Sequence, residues 1–440
     1  MKPMYFFLRM TVPYLMRVFF GRRKTLNSQN KFNTRTIFVS NHPSAFLDPM
    51  IVATAQRSIL YFMVRSDIFK KWLLPVTWAS HMVPIYRLAE DGKENLEKNA
   101  STFRDAINIL RKNNSLLMFG EGYTDNEFIR SLKIIKKGPA RIAFSAMVET
   151  NWSLDILVQP IGINYADPNY FKSDVLVSFG DIIHLLNYKE LYFENPAKAY
   201  TALTREIELS IQKQITYVED VKLAPFVENI QKISRKGMNH FYHEDSISLV
   251  DRYHYSQKTA LFINENYSDS TKKLQETESL LSTYFLDEEK EKVNDNWIHD
   301  YSKNKNKNLG LRFLYLILLF PVFVLGLIHN LLPYLFIKLF VEKKFERQVF
   351  WSGVKLLMGA PFFVIYNLPF IWIFYHLIYQ NYWLAVLYVL IVPPLSFVIS
   401  HSYFAQLKDT ITLIKTPKTI LEKFANRRKI LVERIEELGL

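Results

Sequence analysis

Ser40-Asn41-His42-Pro43-Ser44-Ala45-Phe46-Leu47-Asp48-Pro49 follows directly on an apolar run, Thr36-Ile37-Phe38-Val39, that reads as a short buried strand. His42 and Asp48 stand six positions apart. On a continuous helix six residues turn through about 600°, which puts the two side chains on different faces. They meet only if the chain turns between them. Pro43 disfavours helical geometry at His42, and Asp48-Pro49 has the form of a capping residue followed by the first helical position. The stretch therefore predicts a strand closing at His42, a turn over 43–47 and a helix over 49–58. Strand, turn and helix in that order are the unit of an α/β fold.

The same alternation continues outward. Strand candidates rich in Ile, Leu, Val or Phe fall at 36–40, 59–64, 82–86, 115–119, 156–164 and 174–179. Between them 95–112 and 138–149 have helical spacing, and Gly138-Pro139 marks a helix start. Residues 31–215 are thus expected to form an α/β domain, a central and mostly buried sheet flanked by helices.

Around this core the chain changes character. Residues 1–30 mix Phe6, Phe7, Tyr14, Phe19 and Phe20 with Arg9, Arg17, Arg22 and Arg23, which fits an amphipathic helix on a membrane surface or one packed on the domain. Residues 216–308 are polar and helix-prone, a helical connector ending in Lys303-Asn304-Lys305-Asn306-Lys307-Asn308. Residues 309–405 hold three apolar blocks, about 311–341, 357–379 and 382–400, and read as an α-helical transmembrane region.

Gln380-Asn381 links the last two blocks without Lys or Arg. Lys343, Lys344, Arg347 and Lys355 precede them, and Lys408, Lys415 and Lys418 follow. The positive-inside rule makes that pair a hairpin with both ends in the cytoplasm. The first block holds Pro321 and Pro333 and is expected to break into re-entering halves or to lie shallow. An even number of crossings follows, with the α/β domain and the C-terminus on the cytoplasmic side. Residues 406–440 read as a basic amphipathic helix at the same surface.

Composition narrows the partners. A net charge of +13 suits phosphate-bearing molecules, and 34 Phe, 25 Tyr and 7 Trp favour the lipid interface. No zinc-finger, RNA-recognition or basic-zipper pattern is present, so nucleic acid is not expected as a partner. Zero cysteines exclude disulfides, thiolate metal sites and a cysteine nucleophile. A Gly-x-Ser-x-Gly elbow, a zinc-protease histidine pair and a Walker loop are all lacking. No metal or organic cofactor is indicated.

A histidine with an acidic partner is a general base for taking a proton from a hydroxyl. The plainer alternative is that Asp48 only caps its helix and His42 is a loop histidine. Asn41-His42 with Asp48-Pro49 resembles the first sequence block of the glycerolipid acyltransferases, the glycerol-3-phosphate and lysophosphatidate acyltransferases. Val83-Pro84-Ile85-Tyr86-Arg87, Phe119-Gly120-Glu121-Gly122-Tyr123-Thr124 and Val158-Gln159-Pro160-Ile161-Gly162 resemble the second, third and fourth blocks, in order. Two departures stand out: five residues rather than four separate His42 from Asp48, and Gly120 replaces the usual proline. The longer spacing resembles that of acyltransferases acting on small polyol phosphates.

The resemblance implies a membrane-bound enzyme that moves a fatty acyl group from acyl-CoA or acyl-carrier protein to glycerol 3-phosphate. Lysophosphatidate or another lysophospholipid is the alternative acceptor, and a catalytically silent lipid-binding scaffold is the alternative outside catalysis. By the same resemblance His42 and Asp48 are catalytic, while Arg87, Gly120, Glu121, Gly122, Thr124 and Lys137 hold substrate. The turn at Gly120-Glu121-Gly122 is a candidate source of oxyanion-binding N–H groups. Lys133, Lys136 and Arg141 extend the positive field, and Trp72, Leu73, Leu74 and Trp78 are candidates for the lip of an acyl groove.

Overall fold

The computed structural model describes residues 2–28, 35–71, 74–86, 99–267, 272–303 and 309–440. Arg87, Trp72, Leu73 and positions 304–308 lie outside them. The chain forms two compact units, Met1–Asp269 and Ser270–Leu440. That division falls inside the segment expected to be one connector.

In the first unit a helix, α1 (Pro3–Phe19), precedes strands β1 (Arg23–Leu26) and β2 (Thr36–Ser40). Then come α2 (Leu47–Ala55), β3 (Leu60–Arg65), α3 (Leu74–Ala79), β4 (Met82–Ile85), α4 (Asn99–Arg111), β5 (Ser115–Phe119) and α5 (Gly138–Glu149). The unit continues with β6 (Leu157–Tyr165), β7 (Val175–Phe179), β8 (Ile183–His184), α6 (Lys189–Glu194), α7 (Pro196–Gln214), α8 (Ala224–Ser234) and α9 (Leu249–Asn266).

Among the described residues the strands form one mixed sheet in the order β1-β7-β6-β2-β5-β3-β4, with β8 beside β6. β2 is parallel to both neighbours, with Ile37 opposite Leu116 and Val39 opposite Pro160. β6 and β7 are antiparallel. Every residue of β2 and β7 is buried, which is why their sequences are continuous apolar runs. Pro160 is tolerated inside the sheet because it sits where β6 passes from β8 to β7. Its carbonyl accepts from Gly180 N–H on that side, so the N–H that proline lacks would have faced the gap.

Ile37, Val39, Leu116, Met118 and Val158 pack with Ile107 and Leu110 of α4, Ala143 and Phe144 of α5, and Leu203 and Ile207 of α7. Phe38 has the opposite parity and meets the Phe179 ring at 6.3 Å. α8 and α9 belong to this unit through buried charge. Arg252, fully buried on α9, bonds Asp174 Oδ2 at 2.7 Å, and the buried Arg130 bonds Glu228 Oε2 of α8 at 3.0 Å. Removing one partner of such a pair costs about 3–5 kcal/mol. On α1, Tyr5 and Met16 are buried, as is Phe20 just after it, while Phe6, Phe7, Met10 and Tyr14 stay exposed. This helix both packs on the domain and keeps an open apolar face.

The second unit contains α10 (Lys272–Glu291), α11 (Asp295–Ser302), α12 (Leu309–Lys344), α13 (Trp351–Asn367), α14 (Pro369–Leu377), α15 (Tyr382–Lys415) and α16 (Lys418–Glu436). Three segments, α12, α13 with α14, and α15, are long and apolar enough to cross a membrane. The break expected at Pro321 and Pro333 does not occur, and α12 runs through both prolines as one helix. Each proline removes a single intrahelical donor, and the turns around it keep theirs. The interruption falls instead at Leu368, before Pro369.

The expected hairpin is corrected as well. Glu342 pairs with Lys355 at 2.6 Å and His329 with Asn367 at 2.7 Å, so α13 runs back along α12 only to its middle. Arg312 pairs with Asp409 at 3.0 Å, and Phe323 stacks on Tyr403 at 4.3 Å, so α15 is antiparallel to α12. At 1.5 Å per residue, positions 312 and 342 lie about 45 Å apart. The basic flanks at Lys355 and Lys408 therefore stand near opposite ends of α12, whereas the start of α12 and the end of α15 come together. α16 buries Leu421, Phe424, Leu431 and Ile435 on α10 and α11, so its apolar stripe is used within the protein.

Candidate active site

The site lies at the carboxyl ends of β2, β5 and β6, where neighbouring parallel strands bring their last residues together. β2 ends at Ser40, yet its pairing continues through a side chain. Asn41 Nδ2 donates to the Ile163 carbonyl at 3.1 Å, and Asn41 Oδ1 accepts from Ile163 N–H at 2.8 Å. This fixes the peptide that carries His42.

The chain then turns over 43–46, with Ala45 at φ 38° and Leu47 N–H donating to the Ser44 carbonyl. A left-handed alanine costs about 1 kcal/mol, and the contacts that follow hold it there. α2 starts at Leu47, so Asp48 lies in the first helical turn and not at the capping position. Its carboxylate points back to the turn. Oδ2 accepts from Ser44 N–H at 2.8 Å and lies 2.8 Å from His42 Nδ1, while Oδ1 accepts from the Tyr165 hydroxyl at 2.8 Å. Asp48 is fully buried and His42 is partly exposed. A carboxylate accepts, so His42 Nδ1 carries the proton and Nε2 holds the lone pair.

The imidazole stacks on the Phe119 ring at 4.0 Å, and the His42 N–H donates to Glu121 Oε1 at 2.6 Å. Glu121 also accepts from Lys133 N–H at 3.3 Å. Burial raises the Glu121 carboxyl above its usual range, and the His42 N–H and the Lys133 charge pull it part of the way back. The Lys133 ammonium lies 2.7 Å from Asp125 and over the Tyr123 ring. Burial first, then the Asp48 charge, pushes the Tyr165 phenol well up, so it stays a donor. His42, Pro43, Glu121, Asp125, Glu127, Ile129 and Ser131 line a small depression open to solvent.

Of the residues singled out in the sequence, His42, Asp48 and Glu121 come together. Gly120 N–H donates to Ser40 and Gly122 N–H to Phe119, so these two amides already have backbone acceptors and are not oxyanion donors in this conformation. Gly122 has φ 77°, the positive value that its turn requires. Thr124 is buried. Lys137 bonds Thr201 Oγ1 at 3.1 Å on the surface and does not line the depression. Arg87 lies outside the described residues. Tyr165 was not found from the sequence. Its only signal is a polar-tipped residue ending an apolar strand beside β2.

Chemically, the arrangement presents an imidazole nitrogen with a free lone pair, backed by a buried carboxylate, at the edge of a cavity lined by carboxylates. Such an arrangement is chemically able to accept a proton from a hydroxyl. A search of curated proteins finds no match to this chain. In fold the chain is similar to a 1-acyl-sn-glycerophosphate (LPA) acyltransferase, PlsC, from Thermotoga maritima, at 16% identity and a TM-score of 0.31, over 47% of this chain and 77% of that one. The sequence model of the family described as Acyltransferase matches residues 21–164, which hold β2, the His42 turn, Asp48 and the Glu121 turn. Residues 21–164 are thus similar to the family described as Acyltransferase.

Proposed function

We propose that the protein is a membrane-bound O-acyltransferase that moves a fatty acyl group from an acyl-CoA or acyl-carrier-protein thioester to a hydroxyl of glycerol 3-phosphate. The observation that carries this reading is the 2.8 Å contact between His42 Nδ1 and the buried Asp48 carboxylate. His42 Nε2 takes the acceptor hydroxyl's proton as its oxygen attacks the thioester carbonyl. The tetrahedral intermediate then expels the thiolate, which recovers that proton from the imidazolium, leaving an ester and a free thiol. Asp48 holds the tautomer and stabilises the imidazolium. Glu121, Asp125 and Glu127 suit the hydroxyls of a polyol as acceptors, and Lys133 supplies positive charge for its phosphate.

Lysophosphatidate is the second acceptor, favoured by the apolar helices that associate the chain with lipid. We place the catalytic domain and the C-terminus on the cytoplasmic side. Arg312 and Asp409 bring the start of α12 and the end of α15 to one end, where Lys303, Lys415 and Lys418 add basic charge. The test offers the purified protein labelled palmitoyl-CoA and acyl-carrier protein with glycerol 3-phosphate, lysophosphatidate and other lysophospholipids. The expected product is lysophosphatidate from glycerol 3-phosphate, and transfer to none of the acceptors overturns the assignment.

A further inference from the structure

We propose that Tyr165 is a positioning residue for the His42 base, its hydroxyl holding the Asp48 carboxylate in the one orientation that serves the imidazole. This rests on the acyl-transfer reading above. Asp48 receives three donors, His42 Nδ1–H and Ser44 N–H on Oδ2 and the Tyr165 hydroxyl on Oδ1, each at 2.8 Å. The carboxylate is fully buried, so bulk water does not replace a lost donor. The phenol is itself fixed. β6 extends four residues beyond Ile161, the partner of Ser40, which carries Tyr165 over the turn. Its carbonyl accepts from Arg130, and its ring packs against Phe20 at 5.8 Å and Phe128 at 6.4 Å.

A tyrosine acting only in the core would change stability and leave the titration of the base alone. Among the described residues, the charged and titratable groups around His42 are Asp48 from α2, Tyr165 from β6 behind it, and Glu121, Asp125, Glu127 and Lys133 from the segment after β5. Of these, Tyr165 bonds the oxygen of Asp48 that does not face the imidazole. Without its donor the Asp48 charge is less neutralised and stabilises the imidazolium more, so the base needs a higher pH to be neutral.

The experiment measures acyl transfer from palmitoyl-CoA by the full chain in detergent, with the acceptor that the panel identifies, across pH. Tyr165→Phe is expected to lower kcat by about 10–100-fold with little change in KM, and to move the acid limb of the profile upward. In an Asp48→Asn background it should add less than about twofold, because both changes act on one unit. An unchanged kcat and acid limb, or a full multiplicative loss in that background, overturns the proposal. If Tyr165→Phe fails to fold, 3-fluorotyrosine at position 165, a stronger donor of nearly the same shape, should move the acid limb downward. A limb that stays in place overturns the proposal. His42→Ala separates the two levels. If it is inactive and Tyr165→Phe is silent, only the tyrosine's role fails; if it is fully active, both readings fail.

Discussion

The Asn41 carboxamide holds the backbone of Ile163 at both polar groups, N–H and carbonyl, 122 positions away in sequence. One side chain thereby extends a parallel ladder one step beyond the end of β2 and delivers His42 at a fixed height above the sheet.

Asn41→Ala should therefore destabilise the fold and misplace His42 together. Two buried backbone groups lose their partners, at a cost of about 2–4 kcal/mol in all. Denaturant unfolding measures the loss. A change below about 0.5 kcal/mol would show that the ladder does not depend on this residue.

Glycine substitutions should separate close backbone approach from turn chemistry. A Cβ on Gly162 would run into the backbone of Gln214, whereas one on Gly120 would meet the side chains of Ile135 at 2.9 Å and Val39 at 3.1 Å. Gly162→Ala is expected to lower the unfolding midpoint more than Gly120→Ala, since side chains can yield by rotation and a packed backbone cannot. The reverse order contradicts this.

His81 lies between the rings of Tyr5, at 4.1 Å, and Tyr61, at 4.3 Å, and its Nδ1 has no hydrogen-bond partner among the described residues. Burial first, then Lys2, lowers its pKa to about 4. The unfolded chain takes up this proton near the ordinary histidine value of about 6.5 and the folded protein only near 4. The stability that His81 contributes is thus complete above about 6.5 and lost as pH falls towards 4. His81→Phe should flatten that part of the thermal-unfolding profile; an unchanged slope between pH 6.5 and 4 argues against a neutral buried imidazole.

The central polar layer of the second unit predicts a coupling among its helices. His329 bonds Asn367 at 2.7 Å and the Tyr388 hydroxyl at 2.8 Å, joining α12, α13 and α15. Asn367→Leu should weaken that packing by about 0.6–2 kcal/mol, read as a lower melting temperature in detergent. His329→Leu in addition should give less than the sum of the two single losses. Strict additivity would mean that the two side chains do not act together.

Much of the sheet was readable beforehand because buried parallel strands have to be continuous apolar runs, and the runs at 36–40 and 115–119 match β2 and β5 to the residue. β1, Arg23-Lys24-Thr25-Leu26, escaped notice because an edge strand needs no such run. The approach of His42 to Asp48 was legible through Pro43 and Pro49, which force a turn between them. Tyr165 was not, since its partner lies 117 positions away and only the register of β6 on β2 brings them together. The prolines of α12 misled for a related reason: whether a proline breaks a helix depends on the packing around it, which a single sequence does not display.

The most direct measurement is the rate of labelled acyl transfer by the full chain carrying His42→Ala. The side chain is partly exposed at the rim of its depression, so the fold and the unfolding midpoint should hold while kcat falls by about 10³–10⁴-fold. A folded His42→Ala protein that transfers acyl groups at the wild-type rate would contradict the account.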